Sequence, residues 1–303
     1  MGKDELGDEF LKVLRSKKVD VETEGCVQRV EGRPTRDVYV VYTKSGDREF
    51  VGFGEKTPTE GYADCFIDPS KLPTGLISSA GALVTGTLGL AYPQTAEAMR
   101  RAVGVARGAR VPVIVDVNWR PVFFEKPESE ATKDEIREYV LASADVVKLS
   151  DEEAEWLFGV KAAEALKDPE EVLRRLLGGG GEKGSGSSSS PSPSSSSVGV
   201  LVTGGGLGAS YSFLTPEGKN ATSGFLPALE VAATDTTGAG DAFLGGFLVS
   251  LLDAGGLGAL RSDPEKLRGA VAFAAAAGAA TTTAPGAIAA QPGREAVERL
   301  LNK

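Results

Sequence analysis

The sequence holds 303 residues, 41% hydrophobic and 25% charged, which is the make-up of a globular chain long enough to bury a sizeable core. Its 33 Lys and Arg against 42 Asp and Glu leave a net charge of −9, which argues against a general nucleic-acid or anionic-membrane surface. With no histidine and only Cys26 and Cys65, the chain excludes Ser-His-Asp triads, histidine-ligated zinc, a disulfide framework and a four-cysteine metal site.

The two thiols read as buried and reduced. The first ten residues, MGKDELGDEF, carry four acids, unlike a signal or transit peptide. No apolar run approaches the ~18 residues of a membrane span. Residues 4–16 have Leu6, Phe10, Val13 and Leu14 spaced for one apolar helix face. Between 26 and 54, Val38–Tyr42 and Glu49–Val51 are β-rich runs joined by the turn KSGD at 44–47, which predicts a hairpin.

From residue 76 strands alternate with helices. Strands are predicted at 82–85, 111–117, 145–149, 198–203 and 211–214. Helices are predicted from Pro93, at 136–141, 150–158, 241–252 and 264–278, with Met99, Val103 and Ala106 of the Pro93 helix facing the core. The run VPVIVDV suits a parallel strand covered on both faces. Residues 178–197 are Gly, Ser and Pro apart from Glu182 and Lys183; they have nothing to bury and read as an inserted disordered loop. The alternation implies an α/β fold with a mostly parallel sheet, whose ligands sit beyond the carboxyl ends of the strands.

The segment TDTTGAGD, Thr234–Asp241, places a Gly-Ala-Gly turn directly before an apolar helix. There the N–H groups of Gly238, Ala239 and Gly240 are expected to be unpaired and, with the helix dipole, to make an anion hole. A carboxylate at Asp241 can take a proton from a hydroxyl while those groups hold a transferring phosphoryl. The same residues also fit a plain helix start, with Thr237 as cap and Asp241 as a first-turn acid.

DTTGAGDAFLGGFL resembles the C-terminal signature of the PfkB (ribokinase-like) carbohydrate kinases. The resemblance implies Asp241 as catalytic base, Gly238, Ala239 and Gly240 as phosphoryl-stabilising amides, and Asp235 near a monovalent cation such as K⁺. Asp116-Val117-Asn118-Trp119-Arg120 resembles the family's D-x-N-x-R segment, which implies Asn118 beside the nucleotide phosphates and Arg120 as their charge partner; in a plain loop, Asp116 and Arg120 would pair with each other. Lys148 ends a strand, and the resemblance implies it as a cofactor-binding residue. Ser150–Glu153 resembles the N-x-x-E motif of Mg²⁺-phosphate binding, with Glu153 reaching the metal through water. Ser-x-x-Glu is also a capping box.

Thr203-Gly204-Gly205-Gly206-Leu207-Gly208 resembles the T-x-G-x-x-G turn near the nucleotide, which implies Thr203, Gly205 and Gly208 as contacts; a tight β-turn is the plain alternative. Ala274–Ile288 resembles the C-terminal helix and the loop whose Gly-Ala pair matches Gly286 and Ala287. Ala275 stands where many members carry Asn. Arg36, at the hairpin, either reaches a substrate or is a solvated strand-start residue.

The resemblance covers essentially the whole chain and best matches the fructokinase-like branch. It implies a ribokinase-like three-layer α/β/α fold with a mostly parallel central sheet, and one kinase domain over 1–303. The hairpin region at 26–54 is then a small β lid through which a homodimer can form. Implied partners are a sugar and ATP with Mg²⁺, and neither nucleic acid nor membrane. The implied reaction is ATP-dependent phosphorylation of a sugar hydroxyl. A catalytically impaired scaffold or regulator, and a kinase acting on a nucleoside, are the alternatives. The first residues resemble a point well inside a typical member, so a truncated chain without the Gly-Gly sugar segment is expected. Cytoplasm is the expected compartment, or chloroplast if a transit peptide is missing.

Overall fold

The computed structural model describes residues 1–42, 48–53, 59–178 and 197–302. The predicted turn at 44–47 and all but the ends of the insert at 178–197 lie outside the described residues. The chain forms two compact units: Met1–Ala80, Thr87–Val111 and Arg120–Thr132 make the first, and Gly81–Gly86, Pro112–Trp119 and Lys133–Lys303 the second.

In the first unit, helix α1 (Glu5–Ser16) starts where Asp4 accepts a hydrogen bond from the Gly7 N–H at 2.8 Å, a side-chain cap on an otherwise orphan donor. Its predicted apolar stripe is not buried. Leu6, Phe10 and Val13 are each more than a third exposed, and the helix buries Gly7 and Leu11 instead. The predicted hairpin is present as antiparallel β1 (Val38–Tyr42) and β2 (Arg48–Phe53), with a bulge between Tyr39 and Val40. Helices α2 (Thr74–Ser79) and α3 (Pro93–Gly108) follow; α3 buries Val103 and Ala106 as expected, while Met99 is only partly buried.

The core here is Tyr62, Cys65 and Tyr92, with Phe53, Phe66, Ala91 and Phe123 against it. Arg36 sits inside this cluster. Its side chain is 8% exposed, so the solvated reading is wrong. The guanidinium donates to both Asp64 carboxylate oxygens (2.7 and 3.1 Å), to the Thr59 carbonyl (2.9 Å) and to the Tyr92 hydroxyl (3.1 Å). Its carbon lies 4.4 to 5.5 Å from the ring centres of Phe53, Tyr62, Tyr92 and Phe123, close enough for cation–π attraction in a desolvated setting. Both cysteines are free; Cys65 is buried as expected, but Cys26 is only half-buried.

The second unit holds one six-stranded sheet in the order β3-β4-β5-β6-β7-β8. The strands are β3 (Leu83–Gly86), β4 (Val113–Asp116), β5 (Val146–Ser150), β6 (Gly199–Thr203), β7 (Ala209–Leu214) and β8 (Ala221–Leu226). β3 to β6 run parallel, and β7 and β8 continue antiparallel. Helices α4 (Glu130–Ser143), α5 (Asp151–Phe158), α6 (Ala162–Ala165), α7 (Pro169–Leu176), α8 (Ala239–Asp253), α9 (Leu257–Arg261), α10 (Pro264–Thr281) and α11 (Arg294–Leu301) complete the chain.

Leu201, Tyr211 and Phe213 of the sheet pack with Phe243, Phe247, Leu251, Leu267 and Val271 of α8 and α10. Val200 and Val202 point the opposite way from Leu201, yet are equally buried. Both faces are therefore covered, α5 and α7 packing against the sheet as well, in the expected three-layer α/β/α arrangement. No helix among the described residues is long and apolar enough to cross a membrane.

Candidate functional site

The parallel register lines up the strand ends: Gly86 beside Asp116, Asp116 beside Lys148, and Ser150 beside Thr203. The residues that follow each strand carry most of the predicted site. After β4, the Val117 N–H donates to the Lys148 carbonyl at 2.9 Å, and Asn118 turns the chain with φ of 41°, a left-handed conformation that asparagine adopts more readily than most residues. Asp116 does not pair with Arg120. It takes two hydrogen bonds from the Lys148 ammonium, at 3.0 and 3.1 Å, with both side chains about nine-tenths buried. Burial pushes the Asp116 carboxyl up from its ordinary value and Lys148 pulls against that; the Glu153 and Asp241 carboxylates add to the rise, so both lie within electrostatic reach. Arg120 is exposed and belongs to the first unit, where it precedes the 3₁₀ turn Pro121–Phe123.

Ser150 and Glu153 form the capping box of α5: the Ser150 hydroxyl accepts from the Glu153 N–H (3.0 Å), and Glu153 Oε2 accepts from the Ser150 N–H (2.8 Å). The second oxygen, Oε1, accepts from the Trp119 N–H at 2.6 Å. Glu153 thus joins the loop after β4 to the start of α5. Trp119 and Trp156 stack over the same junction with ring centres 4.3 Å apart and planes at 16°, a contact that no local motif announces. Glu153→Ala leaves the Ser150 hydroxyl cap in place and removes the acceptor of both the Ser150 and the Trp119 N–H groups. It is expected to cost about 1–3 kcal/mol and to change the emission of the stacked tryptophans, both readable in a thermal melt followed by fluorescence.

The Thr234–Asp241 segment is held from behind. The Thr234 and Asp235 N–H groups donate to the Thr282 carbonyl at 2.7 and 3.1 Å. Buried Asp235 accepts from the Thr237 N–H (2.8 Å), the Thr237 hydroxyl (2.6 Å) and the Gly286 N–H (2.8 Å). It therefore ties the turn to the Gly286–Ala287 loop.

The helix cap is not Thr237 but Gly238, in the left-handed region at φ 75°, where a side chain would also press on Ala287 at 3.1 to 3.2 Å. The expectation of three free amides needs correction, since the Ala239 N–H bonds the Thr236 carbonyl at 3.3 Å. Those of Gly238 and Gly240 have no acceptor among the described residues. Asp241, exposed, sits in the first turn beside them.

A cleft of about 710 Å³ opens next to this turn. It is lined by Thr203, Gly205, Gly208, Ala239, Gly240, Phe243 and Ala275, among others. Here β6 and β7 are joined by the 3₁₀ turn Gly205–Leu207, closed by the Gly204 N–H on the Gly208 carbonyl at 2.9 Å. Volume and mostly apolar walls suit a nucleotide-sized ligand whose phosphates would lie at the helix N-terminus.

Among the described residues no three His, Cys, Asp or Glu side chains gather into a metal cage. Mg²⁺ seldom needs one, keeping several waters and travelling with substrate phosphates. Glu153, with one N–H on each oxygen, retains acceptor capacity for such a water.

The profile of the pfkB family carbohydrate kinase matches residues 1–183 and 195–294. Over 300 residues the chain is 32% identical to Probable fructokinase-5 of Arabidopsis thaliana, covering 99% of this chain and 80% of that protein. Its fold is similar to that of fructokinase with bound ATP from Xylella fastidiosa, with a TM-score of 0.77 and 23% identity over 100% of this chain and 83% of that one. Fructokinase from Vibrio cholerae O395, in a fructose-, ADP- and calcium-bound form, superposes with a TM-score of 0.72 and 23% identity over 99% of this chain and 83% of that one.

Proposed function

This chain belongs to the pfkB family of carbohydrate kinases, and we propose that it moves the γ-phosphoryl group of ATP to a hydroxyl of a fructose-like sugar. The reading is carried by one juxtaposition: an exposed carboxylate, Asp241, beside the free Gly238 and Gly240 amides at the N-terminus of α8, with Ala239 and Gly240 forming part of the wall of the nucleotide-sized cleft. The acceptor oxygen attacks the γ-phosphorus, its proton passes to Asp241, and the bond from the γ-phosphorus to the bridging oxygen breaks to leave ADP. The two amides and the positive end of α8 stabilise the charge on the transferring group, a task that is mostly positioning and electrostatics. Mg²⁺, when bound with ATP, supplies charge neutralisation on the phosphate oxygens.

Asp235 has a positioning part, since it holds the turn and the Gly286 loop in register; a monovalent cation beside it would act through that same loop. The fructose preference rests on the relatives, which are named as fructokinases. Incubation with ATP, Mg²⁺ and fructose is expected to produce a new phosphomonoester signal in ³¹P NMR. An unchanged ATP spectrum would count against the reading.

A further inference from the structure

The side chains around the cleft beside α8 can accept hydrogen bonds but hardly donate them. Among its described lining residues there is no Asn, Gln, Lys, Arg, Tyr or Trp. The Thr203 hydroxyl donates to the Leu149 carbonyl at 3.4 Å, and the Thr282 hydroxyl to the Ala279 carbonyl at 2.8 Å. That leaves Thr236 and Glu230. Thr236 stands at the phosphate end, since its carbonyl takes the Ala239 N–H in the turn before α8. Glu230 also lines a second cavity, of about 570 Å³, which lies beside α11 and has no described residue of α8 in its wall. It therefore marks the end of the cleft away from the phosphates. Glu230 is exposed, and its carboxylate has no partner among the described residues.

A carboxylate accepts and does not donate. Guanine turns two parallel N–H donors to such a group, N1–H and the 2-amino group, and bidentate contacts of this kind are the strong ones. Adenine offers only its 6-amino N–H, with the N1 lone pair facing the same carboxylate. There is room for the extra amino group: α10 contributes Ala275, Gly278 and Ala279 to the wall, none with a side chain beyond a methyl.

We propose that Glu230 is a specificity-determining residue of the phosphoryl-donor site, and that this site takes guanine nucleotides as well as adenine ones and holds guanine the tighter. The proposal rests on the phosphoryl-transfer reading and widens its donor from ATP to GTP. Leu229 and Val231, on either side of Glu230, line the same cleft and supply apolar contact for the base. With GTP the sugar oxygen still attacks the γ-phosphorus, its proton passes to Asp241, and GDP leaves.

Calorimetry of GDP, IDP and ADP binding, each with Mg²⁺, to the wild type and to Glu230→Gln tests this. IDP keeps N1–H and lacks the 2-amino group. The wild type is expected to bind GDP about tenfold tighter than ADP, the scale of one good bidentate contact to a base, with IDP between them. Glutamine offers one acceptor and one donor, the pattern that pairs with adenine. Glu230→Gln is therefore expected to lose the GDP advantage and to bind ADP the tighter. Glu230 is exposed and unpartnered, so the variant is expected to melt with the wild type.

Equal binding of GDP and ADP by the wild type, or the same GDP-to-ADP ratio in both proteins, would overturn the proposal. Sugar phosphorylation, with ATP and GTP offered in turn, decides the underlying reading separately. Turnover with no base preference removes the proposal alone. No turnover, beside a GDP advantage that depends on Glu230, removes the kinase reading alone.

Discussion

Asp241→Asn is expected to lower kcat by about 10²–10⁴-fold, the usual contribution of a positioned general base, with ATP affinity within about twofold of wild type. The substitution is nearly isosteric and removes only the capacity to accept a proton. Asp241 is exposed in the first turn of α8, where an acid also favours the helix dipole, so the variant is expected to lose at most about 1 kcal/mol of stability. The two quantities separate the roles. An acid that merely starts a helix would give a small stability change and wild-type turnover. A base gives the small stability change and loses turnover. Parallel measurement of kcat, ATP binding by calorimetry and the melting midpoint distinguishes them.

Asp64→Ala is expected to destabilise the first unit by about 3 kcal/mol. Arg36 would remain buried among four aromatic rings without the carboxylate that takes two of its hydrogen bonds. The Thr59 carbonyl and the Tyr92 hydroxyl would still accept from it, and Asp64 is itself almost half exposed, which keeps the loss below that of a fully enclosed pair. The double variant R36M/D64N, with no charge left to bury, is expected to recover most of the stability, because an uncharged side chain of similar volume packs among rings at no desolvation cost. Urea unfolding of both variants checks this. An unchanged midpoint for Asp64→Ala would mean that the pair contributes nothing.

What was legible in the sequence follows from how local each feature is. The strands at 113–116, 146–150 and 199–203 are short, mostly buried and mostly apolar runs, so hydrophobicity locates them. β8 escaped because ATSGFL buries little beyond Leu226 and shows no apolar run. α7 escaped although Asp168 and Pro169 carry a helix-start signal, because its eight residues lie just before the Gly/Ser stretch. The Ser150–Glu153 box and the Gly-Ala-Gly turn are contiguous motifs, and both stand where the sequence places them.

The Asp116–Lys148 pair joins residues 32 apart through strand register, which no motif states. One signal was available: VIVD and VVKLS are buried strands that each carry a single charge, of opposite sign. The solvated reading of Arg36 fails for the same reason. Its cage is assembled from residues 53 to 123, and its own neighbours in sequence, Thr35 and Asp37, suggest a solvated turn.

The central claim is that this chain spends ATP on a sugar hydroxyl with Asp241 as base. Coupled detection of ADP release, with fructose, other hexoses, ribose and a nucleoside offered in turn, tests it most directly. Release is expected to depend on the added acceptor, to be fastest with fructose and to be lost in Asp241→Asn. Release no faster with any acceptor than without one, or equal release from the Asp241→Asn variant, would contradict it.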